Sequence, residues 1–237
     1  MANRIKYIFL FFSLLIATSL TAQEQFPRKW NTEKIKGTRQ IPYPAYSGFP
    51  FLNDKFAMGE IEFSDGKKLN NLGLRYSSYR DELIYYNSAI SAQIVIDKIS
   101  LKSFSFTEEN GVKRFFRRQY YDGFLPGERF FEVLSDGELS LLVYRKVVLQ
   151  TCPPYNDNGG ILKNMSYQLA YNYYIYNSKK GYELIRINKS SLLSKFDKPT
   201  QKVVKKLLRK NNISVTDESS FVRAWNLIKE NEIRIDF

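Results

Sequence analysis

MGEIEFSDGKKLNNLGLRYSSYRDELIYYN, residues 58–87, decides how this chain is read. Ile61 and Phe63 fall on one face of an extended run while Glu60 and Glu62 fall on the other, the alternation of a half-buried strand. Ser64-Asp65-Gly66-Lys67 closes it as a hairpin turn, because Asp-Gly reaches positive φ at little cost. Leu72, Leu74 and Tyr76 return along the inward face. Residues 79–87 read as a third strand, polar at Arg80-Asp81-Glu82 and apolar at Leu83-Ile84-Tyr85-Tyr86.

The same grammar recurs downstream. Residues 92–99 and 101–106 carry Ile94 with Ile96 and Phe104 with Phe106 at two-residue spacing, and Glu108-Glu109-Asn110-Gly111 turns the chain into 112–121. A second Ser-Asp-Gly turn at 135–137 joins 129–134 to 139–149. Residues 150–164, with Cys152-Pro153-Pro154 and Gly159-Gly160, read as a loop before a last hairpin of 167–177 and 182–188. Short strands punctuated about every 8–12 residues predict a mainly β chain, an antiparallel β-sandwich or open barrel. After Asn188 the period changes, and two or three C-terminal helices are expected. Residues 190–196 suit a short helical turn. Asp197 caps a helix with Pro199 in its first turn and Val203, Val204, Leu207 and Leu208 at helical spacing. Thr216 or Asp217 starts another, with Glu218 at its positive end and Phe221, Trp225 and Ile228 as its buried stripe. Ile233, Ile235 and Phe237 alternate again, a pattern suited to pairing at a sheet edge.

The ends and the composition bound the rest. Arg4 and Lys6 precede an uncharged, mostly apolar run at 7–20, shorter than the ~20 residues a spanning helix needs. It reads as a signal peptide, 1–22, cleaved after Ala22 or, failing that, after Ser19; an uncleaved anchor is the other reading. No second apolar run of that length follows, so no transmembrane helix is expected in the mature chain, which would be exported to the periplasm or cell surface. Residues 23–57 form a Pro/aromatic-rich lead-in, its later part docked by rings from Tyr43 onward. Residues 58–188 form the antiparallel β domain, and 189–237 a helical segment packed on it. Without Arg4 and Lys6 the formal charge is 34 − 24 = +10. Such a surface favours polyanions, namely an anionic glycan, a lipid headgroup or an acidic protein, and nucleic acid is not expected. A merely solubilising surface is the alternative. Cys152 is the one cysteine, so no disulfide closes within the chain, and it reads as a small buried residue. With no histidine, Ser-His-Asp and Cys-His systems and His-ligated zinc are excluded, and no cofactor motif is present.

Several residues invite a functional reading. Lys113, Arg114, Arg117 and Arg118 interleave with Phe115 and Phe116, as in grooves for single-stranded nucleic acid or acidic sugars. A cationic sheet edge that blocks aggregation gives the same pattern. Tyr167, Tyr171 and Tyr173 share a strand face and either stack a ligand or pack across strands. Glu60 and Glu62, about 7 Å apart on one strand face, suit acid/base work on sugars or a solvated outer face. Lys198, Lys202, Lys205, Lys206, Arg209 and Lys210 stud one helix, either a membrane-surface helix or the solvated side of a docked one. Together these point to a non-enzymatic exported binding or envelope-associated protein. A carboxylate-based glycan hydrolase and an outer-membrane β-barrel are the alternatives.

Phe49-Pro50-Phe51-Leu52-Asn53-Asp54-Lys55-Phe56, Gly59-Glu60-Ile61 and Leu74-Arg75-Tyr76-x-x-Tyr79-Arg80-Asp81-Glu82-Leu83 resemble an uncharacterised family of exported, β-rich bacterial proteins. Phe131-Glu132-Val133-Leu134-x-x-Gly137-x-Leu139-x-Leu141-Leu142, Tyr173-Tyr174 and Lys189-Ser190-Ser191-Leu192-Leu193 extend the likeness over about residues 49–231. It implies export, and it supplies no catalytic residue.

Overall fold

In the computed structural model, which describes residues 30–235, the alternating runs become one eleven-stranded antiparallel sheet followed by three helices. The strands are β1 (Gly37–Arg39), β2 (Ala57–Phe63), β3 (Lys68–Ser77), β4 (Glu82–Asn87), β5 (Ala92–Ile96), β6 (Leu101–Thr107), β7 (Lys113–Tyr121), β8 (Gly127–Ser135), β9 (Ser140–Asn156), β10 (Leu162–Asn177) and β11 (Gly181–Ile185). The helices are α1 (Lys189–Leu193), α2 (Lys198–Lys210) and α3 (Glu218–Glu230). Two units divide the chain, 1–30 and 31–237; only Trp30 of the first is described, and every strand and helix named above lies in the second.

The spatial order is β1-β5-β4-β3-β2-β6-β7-β8-β9-β10-β11. Hairpins explain most of it, since short turns leave consecutive strands adjacent. Gly66, at φ 87°, supplies the turn that the Asp-Gly pair announced. The sheet curls without closing. Tyr76 on β3 and Phe130 on β8 have ring centroids 6.3 Å apart, although β2, β6 and β7 separate their strands. Four steps of ~4.8 Å would put those strands about 19 Å apart in a flat sheet. On the concave face Tyr76, Phe104, Phe106, Phe116, Phe130, Leu72, Leu74 and Ile61 form a dry core.

The gap left by the curl is filled by the turn between β3 and β4. Ser78 O accepts from Val147 N of β9 at 2.9 Å, and the Asp81 carboxylate accepts from Phe130 N of β8. Asp81 also accepts from the Tyr76 hydroxyl at 2.6 Å and Lys98 Nζ at 2.9 Å. Burial raises its pKa, and Lys98 works against that rise. The third strand therefore begins at Glu82, not at Tyr79. Asp81 lies in the left-handed region at φ 56°, a conformation its short polar side chain tolerates and one outside the extended range of a regular strand.

The helices cover the far end of the concave face. Leu141, Ile175 and Ile185 of the sheet meet Leu192, Val204, Leu208, Phe221, Trp225 and Ile228. Asp197 and Asp217 cap α2 and α3 as their sequence positions predict, and Pro199 occupies the first turn of α2. Ile233 and Ile235 pack into this helical core instead of forming a strand, and Phe237 lies outside the described residues.

Two further expectations are corrected, the loop at 150–164 and the burial of Cys152. Most of 150–164 is strand, not loop: β9 and β10 run on to a tight turn at 157–161. Cys152, Pro153 and Pro154 sit in a register shift, where Lys163 pairs with Tyr155 but Met165 with Thr151, so the prolines owe the ladder no donor. Cys152 is half-buried there. The lead-in contains β1, which pairs with β5, and Ser47 bridges Ser166. Its rings dock as expected from Tyr43, with the Tyr167 hydroxyl donating to Pro44 O at 2.9 Å and Phe51 under the Arg75 guanidinium at 3.6 Å. Gly48 makes this docking possible. It has φ 83°, and a Cβ there would lie 2.3 Å from Tyr167 O.

Candidate functional site

The strand pleat separates the residues singled out on β7. Lys113 and Arg117 point outward and pair with Glu60 and Asp136. Arg114 and Arg118 point inward and pair with Glu132 and Glu128. β7 is hydrogen-bonded to β6 and β8, so the run is no edge device; it is a central strand whose cations are each neutralised locally. Tyr167 is buried against Tyr46 and Tyr79, away from the other two tyrosines.

Arg114, Tyr171 and Tyr173 do come together, through Arg145, Glu132 and Glu218, which the sequence did not mark as site residues. Arg145 of β9, 4% exposed, donates to Glu132 Oε2 and, through both terminal nitrogens at 2.7 Å each, to Glu218. Arg114 donates to Glu132 at 2.9 Å and to Glu108 at 2.6 Å. The Tyr173 hydroxyl donates to Glu218 at 2.7 Å, and Tyr171 lies under the Arg145 guanidinium at 4.9 Å. Burial works against charge on Arg145, yet Glu218 and Glu132 more than offset it and hold its pKa above the ordinary arginine range. Burial likewise opposes ionisation of Glu218, and Arg145 overcomes it, so that carboxyl is held below its usual range. This network sits between the aromatic core and the helical core and ties α3 to the sheet. It is self-neutralised, which suits structure better than ligand binding.

Glu60 and Glu62 do flank Ile61 on the outer face. Hydrogen bonds from Lys113 and Ser105 lower the Glu60 pKa, and one from Lys102 lowers that of Glu62. A glycosidase acid needs the opposite, a carboxyl held protonated near neutrality.

A cluster of cations without ion-pair partners lies elsewhere. An open cleft of about 730 Å³ is lined by Lys202, Lys205, Lys206 and Arg209 of α2 and by Lys189 at the start of α1. Asn212, Ile213 and Ser214, in the turn after α2, complete its wall. α2 is anchored by Val204 and Leu208, which are buried in the helical core, and this fixes its charged side toward solvent. No carboxylate lies within ion-pair distance of any of these five cations among the described residues. The contrast with the paired cations of β7 is complete. Lys198, Lys202, Lys206 and Lys210 follow one another at four-residue steps, as do Lys205 and Arg209. Each such like-charge pair costs a helix roughly 0.2–0.5 kcal/mol. Lys198 also sits unfavourably at the positive end of the helix, whose first turn holds no acid. Arg209 and Lys210 complement the negative end of the helix in its last turn, but Lys198, Lys202, Lys205 and Lys206 gain no such contribution. The lysines were legible in the sequence as a charged helix side, but the cleft they line was not.

No protein-family model matches the chain, and comparison with curated proteins and with solved structures returned no match.

Proposed function

We propose that this protein is an exported, non-enzymatic binding protein whose α2 cleft takes an anionic group of a glycan or a lipid headgroup. The observation that carries this reading is the cleft itself, five cations without a carboxylate partner among the described residues. An anion entering it would relieve the repulsion along α2 and gain charge-assisted hydrogen bonds. The apolar segment at 7–20 supports export, which puts acidic polysaccharides and lipid headgroups within reach. Glu60, Glu62, Lys113 and Arg117 on the outer strand faces, where a membrane barrel carries an apolar band, favour binding over the barrel alternative. The held-down carboxyls of Glu60 and Glu62 favour it over a hydrolase.

Retention on an anionic glycan resin tests the reading. The wild type should need clearly more salt for elution than a Lys206→Glu variant, while a Lys113→Glu variant of the same net charge should elute close to the wild type. Equal losses for the two variants would mean that net charge alone drives retention, and the cleft would have no special role.

A further inference from the structure

The shape of the cleft restricts which anion it takes, an inference that rests on the proposed anion-binding role of α2. Lys202, Lys206 and Arg209 follow one another along α2, and at ~1.5 Å of rise per residue the first and last are about 10 Å apart along the axis. Lys189 reaches the same cleft from a different helix. A small single anion accepts hydrogen bonds at about 2.7–2.9 Å and spans only part of that length, so it leaves most of the repulsion in place. Two or more anionic groups on one scaffold would satisfy it.

The cleft also offers uncharged partners. The side chains of Asn212 and Ser214 form no hydrogen bond among the described residues, and both are exposed at the wall. Ile213, half-buried, gives the same wall an apolar element. Separated cations, an amide, a hydroxyl and a small apolar surface match a polyhydroxylated ring bearing several charges. The cleft, about 730 Å³, is open to solvent and has room for a ring bearing several substituents. An interfacial helix meets a bilayer with an apolar face. The apolar face of α2 is already spent on the core through Val204 and Leu208.

The geometry points to a carbohydrate bearing two or more anionic groups, such as phosphates, held across the cleft by α2 and Lys189. The source, a free sugar phosphate or a glycolipid headgroup, shares this chemistry.

Calorimetric titration of the full chain distinguishes the outcomes. The probes are inositol hexakisphosphate, glucose 6-phosphate, inorganic phosphate, and vesicles of phosphatidylglycerol in phosphatidylcholine. We expect one hexakisphosphate per chain, bound on the order of 100-fold more tightly than inorganic phosphate, as two further charge-assisted contacts would give. Lys202→Ala and Arg209→Ala should each weaken it on the order of tenfold, and Lys113→Ala should not. Comparable affinity for inorganic phosphate and the hexakisphosphate would overturn this inference and leave anion binding intact. Vesicle binding that soluble hexakisphosphate does not displace would also overturn it, in favour of a bilayer surface. A weakening by Lys113→Ala equal to that of the cleft variants would place binding outside the cleft, and no binding of any probe would overturn both readings.

Discussion

Replacing Arg145 by Met is the sharpest test of how the fold is held together. The guanidinium is 4% exposed and its partner Glu132 only 7%, so the substitution strands a carboxylate in the interior with Arg114 as its remaining ion-pair partner. Breaking a buried pair by removing one member costs about 3–5 kcal/mol, because the other charge stays desolvated. The Glu218 arm is 31% exposed and partly rescued by water, which argues for the lower end, about 3 kcal/mol. For a domain of this size that is a fall in Tm of roughly 6–12 °C. Denaturant unfolding measured by fluorescence and by far-UV circular dichroism gives the free energy directly, and coincident curves establish the two-state condition it needs. Adding Glu132→Gln should return part of the loss, since it removes the stranded charge. A loss below about 1 kcal/mol for Arg145→Met alone would refute this reasoning and mean that water reaches Glu132.

Three other parts of the structure yield expected outcomes of their own. Because the Glu218 pKa is lowered in the folded state, its contribution is present above the ordinary carboxylate range of about 4.3 and is lost as pH falls through the folded value; Glu218→Gln should flatten the acid limb of the stability profile below about pH 4. An unchanged acid limb in that variant would assign the limb to other carboxylates. Gly48→Ala should release the lead-in, because its Cβ would meet Tyr167 O in a positive-φ conformation. Limited proteolysis within 31–56 should then quicken while the Tm of the body falls by a few degrees at most. Lys206→Gln should leave Tm unchanged or raise it slightly, since it relieves repulsion from Lys202 and Lys210 of roughly 0.2–0.5 kcal/mol per pair. A loss above about 1 kcal/mol would show that Lys206 serves the fold and not a ligand.

Much of the fold was legible because it is written locally. The turn at Gly66, the caps at Asp197 and Asp217, and the stripe of Phe221, Trp225 and Ile228 depend on neighbours within a few residues. The misreadings share one cause. Asp81 looks like the polar start of a strand until Phe130, 49 residues away, is seen to donate to it. Pro153 and Pro154 look like a loop until the register shift shows that no ladder donor was needed from them. Lys113, Arg114, Arg117 and Arg118 look like one patch, and the pleat divides them between two faces.

By itself, the order of residues determined most of the strands and helices, many of the turns between them and which side of each such element is apolar, since side-chain periods of 2 and 3.6 are properties of neighbouring residues. Only the tertiary structure decided that the sheet curls until Ser78 meets Val147, that Glu218 closes on Arg145 from 73 residues away, and that five cations line one cleft. Whether a charge finds a partner is settled by distance in space, and the period of a strand or helix carries no information about it. The stretch at 58–87 thus specified the sheet, and the folded chain gathered five cations without a carboxylate partner at one cleft on α2.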